Sequence, residues 1–286
     1  MKLSIITINK NNAAGLEKTI QSVISQTNKD FEYIVIDGAS TDGSVEVIKK
    51  YSSGINYWIS EQDTGVYNAM NKGIRKAQGE YCLFLNSGDY LISSVTLQEV
   101  FNEINNIPAT DIFYSDAILS NGKIVSYPEP LTVNFLIYYA INHQNCLIKP
   151  SLFLEHGLYN EDLNIVSDWE FVLKEFWVHK SKFLHIKTSI SIYDINGIST
   201  LQKSKLSAEI ITMLHNVFSE LSEIIIEHKE YHNTLYYNII RNYGETKLLT
   251  FFLRTYRFLI SRTSKIKKFL LRFRASSNKS QKTNRQ

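Results

Sequence analysis

The feature that most constrains this chain is an alternation of short apolar runs with amphipathic stretches from Leu3 to Asn86. Leu3–Ile8 is apolar and β-rich, halts at Asn9–Asn12, and gives way to Leu16, Ile20, Val23 and Ile24 at helical spacing. The same unit recurs as FEYIVID (31–37) into DGSVEVIKKY (42–51), and as YWIS (57–60) into GVYNAMNKGIRKAQ (65–78), before EYCLFLN (80–86) closes the series. Near-continuously apolar strands alternating with helices predict an α/β fold whose parallel sheet is covered on both faces. Ligands of such sheets bind beyond the carboxyl ends of the strands. The residues closing these strands are Thr7 and Asn9, then Asp37, then Glu61 and Asp63, and finally Asn86 to Asp89. Turn formation and helix capping explain any one of them equally well, but four polar strand ends on one rim point to a binding site.

Beyond residue 90 the pattern loosens. It predicts a helix near 94–105, strands near 110–115 and 123–127, a helix at 131–140, a strand at 145–149 and a helix at 167–178. From about residue 204 the spacing is helical, with Leu206, Ile210, Met213, Leu214, Val217, Leu221 and Ile224 along 205–230.

With 286 residues, 44% of them hydrophobic, the chain has enough apolar bulk for an enzyme-sized core. Its 12 Gly, 4 Pro and 2 Cys exclude collagen, wholesale disorder and a disulfide scaffold. Cys82 and Cys146 sit in apolar runs, which predicts buried free thiols and a reducing compartment. The opening residues lack a signal-peptide core, and the most apolar stretch, 248–260, is broken by Arg254 and Arg257. The expected location is therefore cytoplasmic. The net charge of +3 conceals an asymmetry: residues 1–240 hold 18 Lys and Arg against 27 Asp and Glu, whereas 241–286 hold 13 against the single acid Glu245. On a helix over 248–274, Arg254, Arg257, Lys265, Lys268 and Arg272 gather on one face, with Phe252, Tyr256, Leu259, Ile266, Leu270 and Phe273 opposite. That pattern predicts an anionic membrane surface as partner, with the chain peripheral on the inner face of the cytoplasmic membrane; a stripe packed onto the domain is the competing reading. No nucleic-acid-binding module is recognisable.

The runs LSIITINKNNAAGLEKTIQSVISQT, YIVIDGASTDGS and SEQDTGVYNAMNKGIRKAQGEYCLFLNSGD resemble the N-terminal half of the family 2 glycosyltransferases of GT-A fold, closely over residues 2–89 and more loosely over 140–200. The resemblance is to bacterial surface-polysaccharide enzymes. It implies a catalytic domain over 1–204, with a nucleotide-sugar-binding half (1–90) and an acceptor half (91–204), followed by a helical extension over 205–286. The implied activity is inverting transfer of a sugar from a nucleoside diphosphate, a UDP-sugar, to a glycan or lipid-linked acceptor. A nucleotidyltransferase and a non-catalytic nucleotide-sugar-binding scaffold are the alternatives.

The resemblance also distributes roles. Thr7, Asn9 and Asp37 would frame the nucleoside, Asp63 matches the acid of the family's SE-D-G motif, and Lys72 would touch the diphosphate unless it is merely a solvated helix residue. NSGD at 86–89 falls where the family carries its Asp-x-Asp metal motif. Asn86 replaces the early carboxylate, which leaves Asp89 as the acidic ligand of a divalent cation, Mg²⁺ or Mn²⁺. Asp89 read as a turn residue is the alternative. In NIVSDWEF, Asp168 is the candidate catalytic base, with Glu170 as a substitute, and Asp168 is equally suited to begin a helix. His143, followed by Gln144, would contact acceptor or donor sugar. NGIST at 196–200 resembles the family's flexible loop. His179, His185, His215, His228 and His232 show no metal-ligand spacing.

Overall fold

The computed structural model describes residues 2–194 and 203–230. A seven-stranded sheet forms the centre, in the order β10-β6-β9-β4-β1-β2-β3. Its strands are β1 (Leu3–Asn9), β2 (Phe31–Asp37), β3 (Tyr57–Ser60), β4 (Tyr81–Phe84), β6 (Ile112–Ser115), β9 (Cys146–Ile148) and β10 (Phe183–Ile186). Only β9 runs against its neighbours. A second sheet orders β5 (Tyr90–Leu91), β11 (Ser191–Tyr193), β7 (Ala117–Leu119) and β8 (Ile124–Val125). The helices are α1 (Ala13–Ile24), α2 (Ser44–Lys50), α3 (Val66–Ile74), α4 (Thr96–Ile104), α5 (Val133–Tyr138), α6 (Pro150–His156), α7 (Ser167–Lys174) and α8 (Lys203–Phe218).

Strand β1 shows why the sheet is sandwiched. Every one of its residues is buried. Leu3 and Ile5 pack with Leu16, Ile20 and Val23 of α1 and with α2 and α4, while Ile6 and Ile8 face the opposite layer of α3 and α5 to α8. This is the two-residue alternation of a strand applied to two apolar faces. Burying one such isoleucine contributes about 1.5–3 kcal/mol, so the central strand is held from both sides.

Two differences from the sequence-based expectation concern local order. The helix expected over 167–178 leaves α-geometry at Lys174 and continues as a π-turn over Glu175–His179, ending where Lys180 takes φ 59°. Helix α8 buries Met213, Leu214, Val217 and Phe218 in the core beside α7, so the compact unit runs to Ile226 and includes the segment expected to begin an extension at 205. Both cysteines are free and buried. No helix among the described residues is long and apolar enough to cross a membrane. The stretches 196–200 and 248–274 lie outside the described residues.

Parallel register brings Asn9 beside Asp37, and Asp37 beside Ser60, at one edge of the sheet. The chain leaves β1 toward β2 and β3 on one side and returns to β4 on the other. A crevice at that reversal is where open α/β sheets bind ligands.

Candidate active site

A cleft of about 830 Å³ opens at this reversal, between the ends of β1 and β4 and the start of α7. Asn9, Asp63, Asn86, Asp89, His143 and Asp168 all line it. Thr7, Asp37 and Lys72, also expected at the site, do not.

The three exceptions have clear partners. Thr7 lies one strand period deeper than Asn9, where its Oγ1 donates to the Leu85 carbonyl (2.7 Å) and lies 3.0 Å from the Tyr33 hydroxyl. Lys72 pairs with Glu61 at 2.8 Å and donates to the Gln62 carbonyl at 3.0 Å, so it ties α3 to the loop before it. Asp37 is fully buried behind the cleft and accepts from Asn9 Nδ2 (2.7 Å), Ser40 Oγ (2.6 Å), Ser40 N (3.0 Å) and Ser60 Oγ (2.6 Å). Burial alone would raise its carboxyl pKa, but these hydrogen bonds outweigh burial and hold it below the usual range. It is the organising centre of the Asn9 and Ser40 loops. Asp63, half-buried, closes over Gly38 so tightly that a Cβ there would collide with its Oδ2.

Asn9 and Asn86 carry a further signal. The Oδ1 of each is buried and has no partner among the described residues. Buried polar atoms are rarely left so, and two unused acceptors on one cleft wall suit a ligand's donors or a cation.

The centre of the site is the one-turn segment His143–Asn145, whose first two residues each hold a carboxylate. His143 Nδ1 lies 2.6 Å from Asp168 Oδ2, and Gln144 Nε2 donates to Asp89 Oδ2 at 3.0 Å. The other His143 nitrogen, Nε2, lies 3.1 Å from Asn86 Nδ2. In the neutral ring with its proton on Nδ1, Asn86 donates to Nε2 and the ring donates to Asp168. Asp168 Oδ1 accepts from the Tyr67 hydroxyl (2.7 Å) and from Trp169 N (3.0 Å). Burial would push the Asp168 carboxyl up; the bonds from His143 and Tyr67 hold it below its ordinary value. Asp168 thus lies in the first turn of α7, which begins at Ser167 without a side-chain cap, and faces the cleft. Its substitute Glu170 does not: it is buried behind α7, accepting from Asn216 at 2.7 Å and pairing with Lys174 at 3.2 Å.

Asp89 behaves in the opposite sense. Burial raises its carboxyl to about 6, despite bonds from the Asp194 backbone N–H (2.9 Å) and Gln144, and the Asp194 carboxylate adds to the rise. Strand β11 pairs with β5 through Ser191 and Leu91, which brings Asp194 to Asp89. Two neighbouring carboxylates and the unused Asn86 Oδ1 form an oxygen-rich set of the kind a hard divalent cation takes, so the residues fit Mg²⁺ or Mn²⁺. Asp194 and Tyr67 are the site residues that sequence reasoning missed.

The strand order and the carboxylate-lined crevice at its reversal are those of a ligand-binding α/β fold, here the GT-A fold. The glycosyl transferase family 2 model matches residues 4–154. A PGL/p-HBAD biosynthesis glycosyltransferase of Mycobacterium bovis is 30% identical over 202 residues, covering 68% of this chain and 78% of that protein. A cholesterol galactosyltransferase of Borreliella burgdorferi is 27% identical over 272 residues, covering 83% and 74%. Among solved structures, Staphylococcus aureus TarS 1–349 with UDP-GlcNAc superposes with a TM-score of 0.61 at 17% identity, covering 76% of this chain and 68% of that one; the chain spans 42% of a longer TarS chain. The mannosyltransferase PcManGT of Pyrobaculum calidifontis, solved with GDP-Man and Mn²⁺, has a TM-score of 0.60 at 12% identity, covering 94% and 82%. This chain belongs to glycosyl transferase family 2. It is a glycosyltransferase, and the nucleotidyltransferase alternative falls with that assignment.

Proposed function

We propose that this protein is an inverting glycosyltransferase that moves a sugar from a UDP-sugar to a lipid-linked or glycan acceptor. The observation that carries this reading is the His143–Gln144 turn, which fixes Asp168 and Asp89 on the same cleft. One carboxylate is held below its ordinary pKa and so is ionised and able to accept a proton, and the other is buried beside a second acid, as a cation site needs.

Asp168 accepts two hydrogen bonds at Oδ1 and one at Oδ2, which leaves Oδ2 with a lone pair for an acceptor hydroxyl. As that hydroxyl's proton passes to Oδ2, the acceptor oxygen bonds to the anomeric carbon. The bond from that carbon to the diphosphate breaks, and its electron pair leaves with the phosphate. A single displacement inverts the anomeric configuration. His143 and Tyr67 orient the base throughout, and Asn9, Asn86 and Asp63 bind the donor. Asp89 and Asp194 would hold a divalent cation, which when bound neutralises charge on the departing diphosphate.

The donor class is supported by the UDP-GlcNAc of TarS and the GDP-Man of the mannosyltransferase. An acceptor with an apolar part is supported by the wall beside Asp168, where Ile141, Ile165, Val166, Trp169 and Leu206 line the cleft, and by the relative named for cholesterol. The basic amphipathic stretch 248–274 would bring the enzyme to an anionic membrane where such acceptors reside.

Thermal stability against UDP, GDP, dTDP, CMP and ADP, with and without Mn²⁺, tests the reading, because a ligand that binds the folded state raises the melting temperature. The expected result is a Mn²⁺-dependent rise with UDP. A flat response to every nucleotide contradicts it.

A further inference from the structure

A second group of metal-type ligands lies on the far end of α7 from Asp168. His156 ends α6, where Gly157 at φ 99° lets the chain turn away. Glu175 and His179 stand four residues apart on the π-turn that follows α7, so both project from one side of a helical turn. One ligand atom from each of the three lies within 4.8 Å of the others.

The arrangement is more than proximity. Glu175 is fully buried, and its carboxylate accepts from His156 Nδ1 at 2.8 Å and Ser181 Oγ at 2.6 Å. The imidazoles of His156 and His179 stack with centroids 3.7 Å apart and planes 4° from parallel, so the exposed His179 ring turns out of the stack for both to reach one ion. Neither ring nitrogen of His179, an exposed residue, meets a hydrogen-bond partner among the described residues. A cavity of about 40 Å³ opens against the three residues, enough for an ion with a water. Ser167 lines the same cavity, and its buried Oγ has no partner among the described residues.

We infer that His156, Glu175 and His179 form a Zn²⁺ site separate from the catalytic cleft. Two imidazoles and one carboxylate are a zinc donor set, with the fourth position left to water on the exposed His179 side. Ligand atoms around tetrahedral Zn²⁺ lie roughly 3.4 Å apart, given metal–ligand bonds of about 2.1 Å. A rotamer change of the exposed His179 closes the gap from the present spacing. The ion replaces the proton between His156 and Glu175 and gives the buried carboxylate a full countercharge. The site staples the end of α6 to the turn after α7, whose first residues include Asp168. Sequence spacing could not reveal it, because the ligands come from two helices 19 residues apart.

The test is calorimetric titration of the tag-free, chelator-treated full chain with Zn²⁺ and no nucleotide, repeated on His179→Ala and Asp89→Asn. Absorption of the Co²⁺-loaded protein reports the geometry. The expected result is one Zn²⁺ per chain with a tetrahedral Co²⁺ spectrum, binding at least about tenfold weaker in His179→Ala and unchanged in Asp89→Asn. His179 is exposed, so its variant folds. Absence of binding in the natural protein, survival of binding in His179→Ala, or its loss in Asp89→Asn each overturns the site. None of these outcomes bears on the cleft chemistry, which the nucleotide titration tests separately.

Discussion

The Nδ1 of His143 lies 2.6 Å from Oδ2 of Asp168, and both side chains are largely buried at the wall of the cleft. This pair sets the protonation state and direction of the base. In His143→Ala the carboxyl loses the strongest of the interactions that lower its pKa. The acid limb of the rate profile should then move to higher pH, and turnover at neutral pH should fall by about tenfold or more. The sign for stability follows from the same shift. A carboxyl whose folded pKa is depressed contributes stability above its unfolded value of about 3.9, lost as pH falls through the folded value. His143→Ala should narrow that acid-range stability. Rate profiles and acid unfolding of the two proteins check this, and an unmoved acid limb would show that His143 does not act through Asp168.

Asp37 should matter more for stability than its place behind the cleft suggests. Asp37→Ala strands four donors in a buried position, at an expected cost of about 3 kcal/mol or more. Urea unfolding measures it. A loss below about 1 kcal/mol would mean that water replaces the carboxylate and the loops do not depend on it.

Asp89→Asn should abolish the Mn²⁺-dependent part of UDP binding. Without a cation, the same change removes a buried charge that the fold disfavours, so the melting temperature of the ligand-free protein should stay level or rise. Calorimetry with and without Mn²⁺ separates the two effects. Intact Mn²⁺ dependence would move the cation elsewhere in the cleft.

Replacement of Arg254, Arg257, Lys265, Lys268 and Arg272 by Ser should release the protein from anionic vesicles while leaving UDP binding unchanged. Each basic residue contributes about 1 kcal/mol at an anionic surface, so cosedimentation should fall steeply and should also weaken with salt. Equal sedimentation of both proteins would assign the stretch another role.

The first half of the fold was legible because its strands are long, apolar and separated by amphipathic helices, so Leu3–Asn9 and Phe31–Asp37 announce a covered parallel sheet. The second half was less so. Strands β5, β7, β8 and β11 have two or three residues each, too few for a period to show, and β10 has four with three of them half-buried. Asp194 was missed for that reason, since it follows β11. Among rim residues, sequence indicated which strand ends meet but not how deeply each side chain sits. Asn9 reaches the cleft, Thr7 stops a period short, and Asp37 turns its oxygens onto Asn9, Ser40 and Ser60. Tyr67 was invisible because its partner Asp168 is 101 residues away.

The most direct test of the central claim compares the natural protein with Asp168→Asn, measuring UDP release from the bound UDP-sugar alongside the affinity for that donor. Asparagine keeps the shape of the side chain but cannot take the acceptor's proton. The expected result is donor affinity within about threefold of the natural protein and turnover reduced by at least about 1,000-fold. Turnover that survives the substitution would remove Asp168 as the base and contradict the account of the cleft.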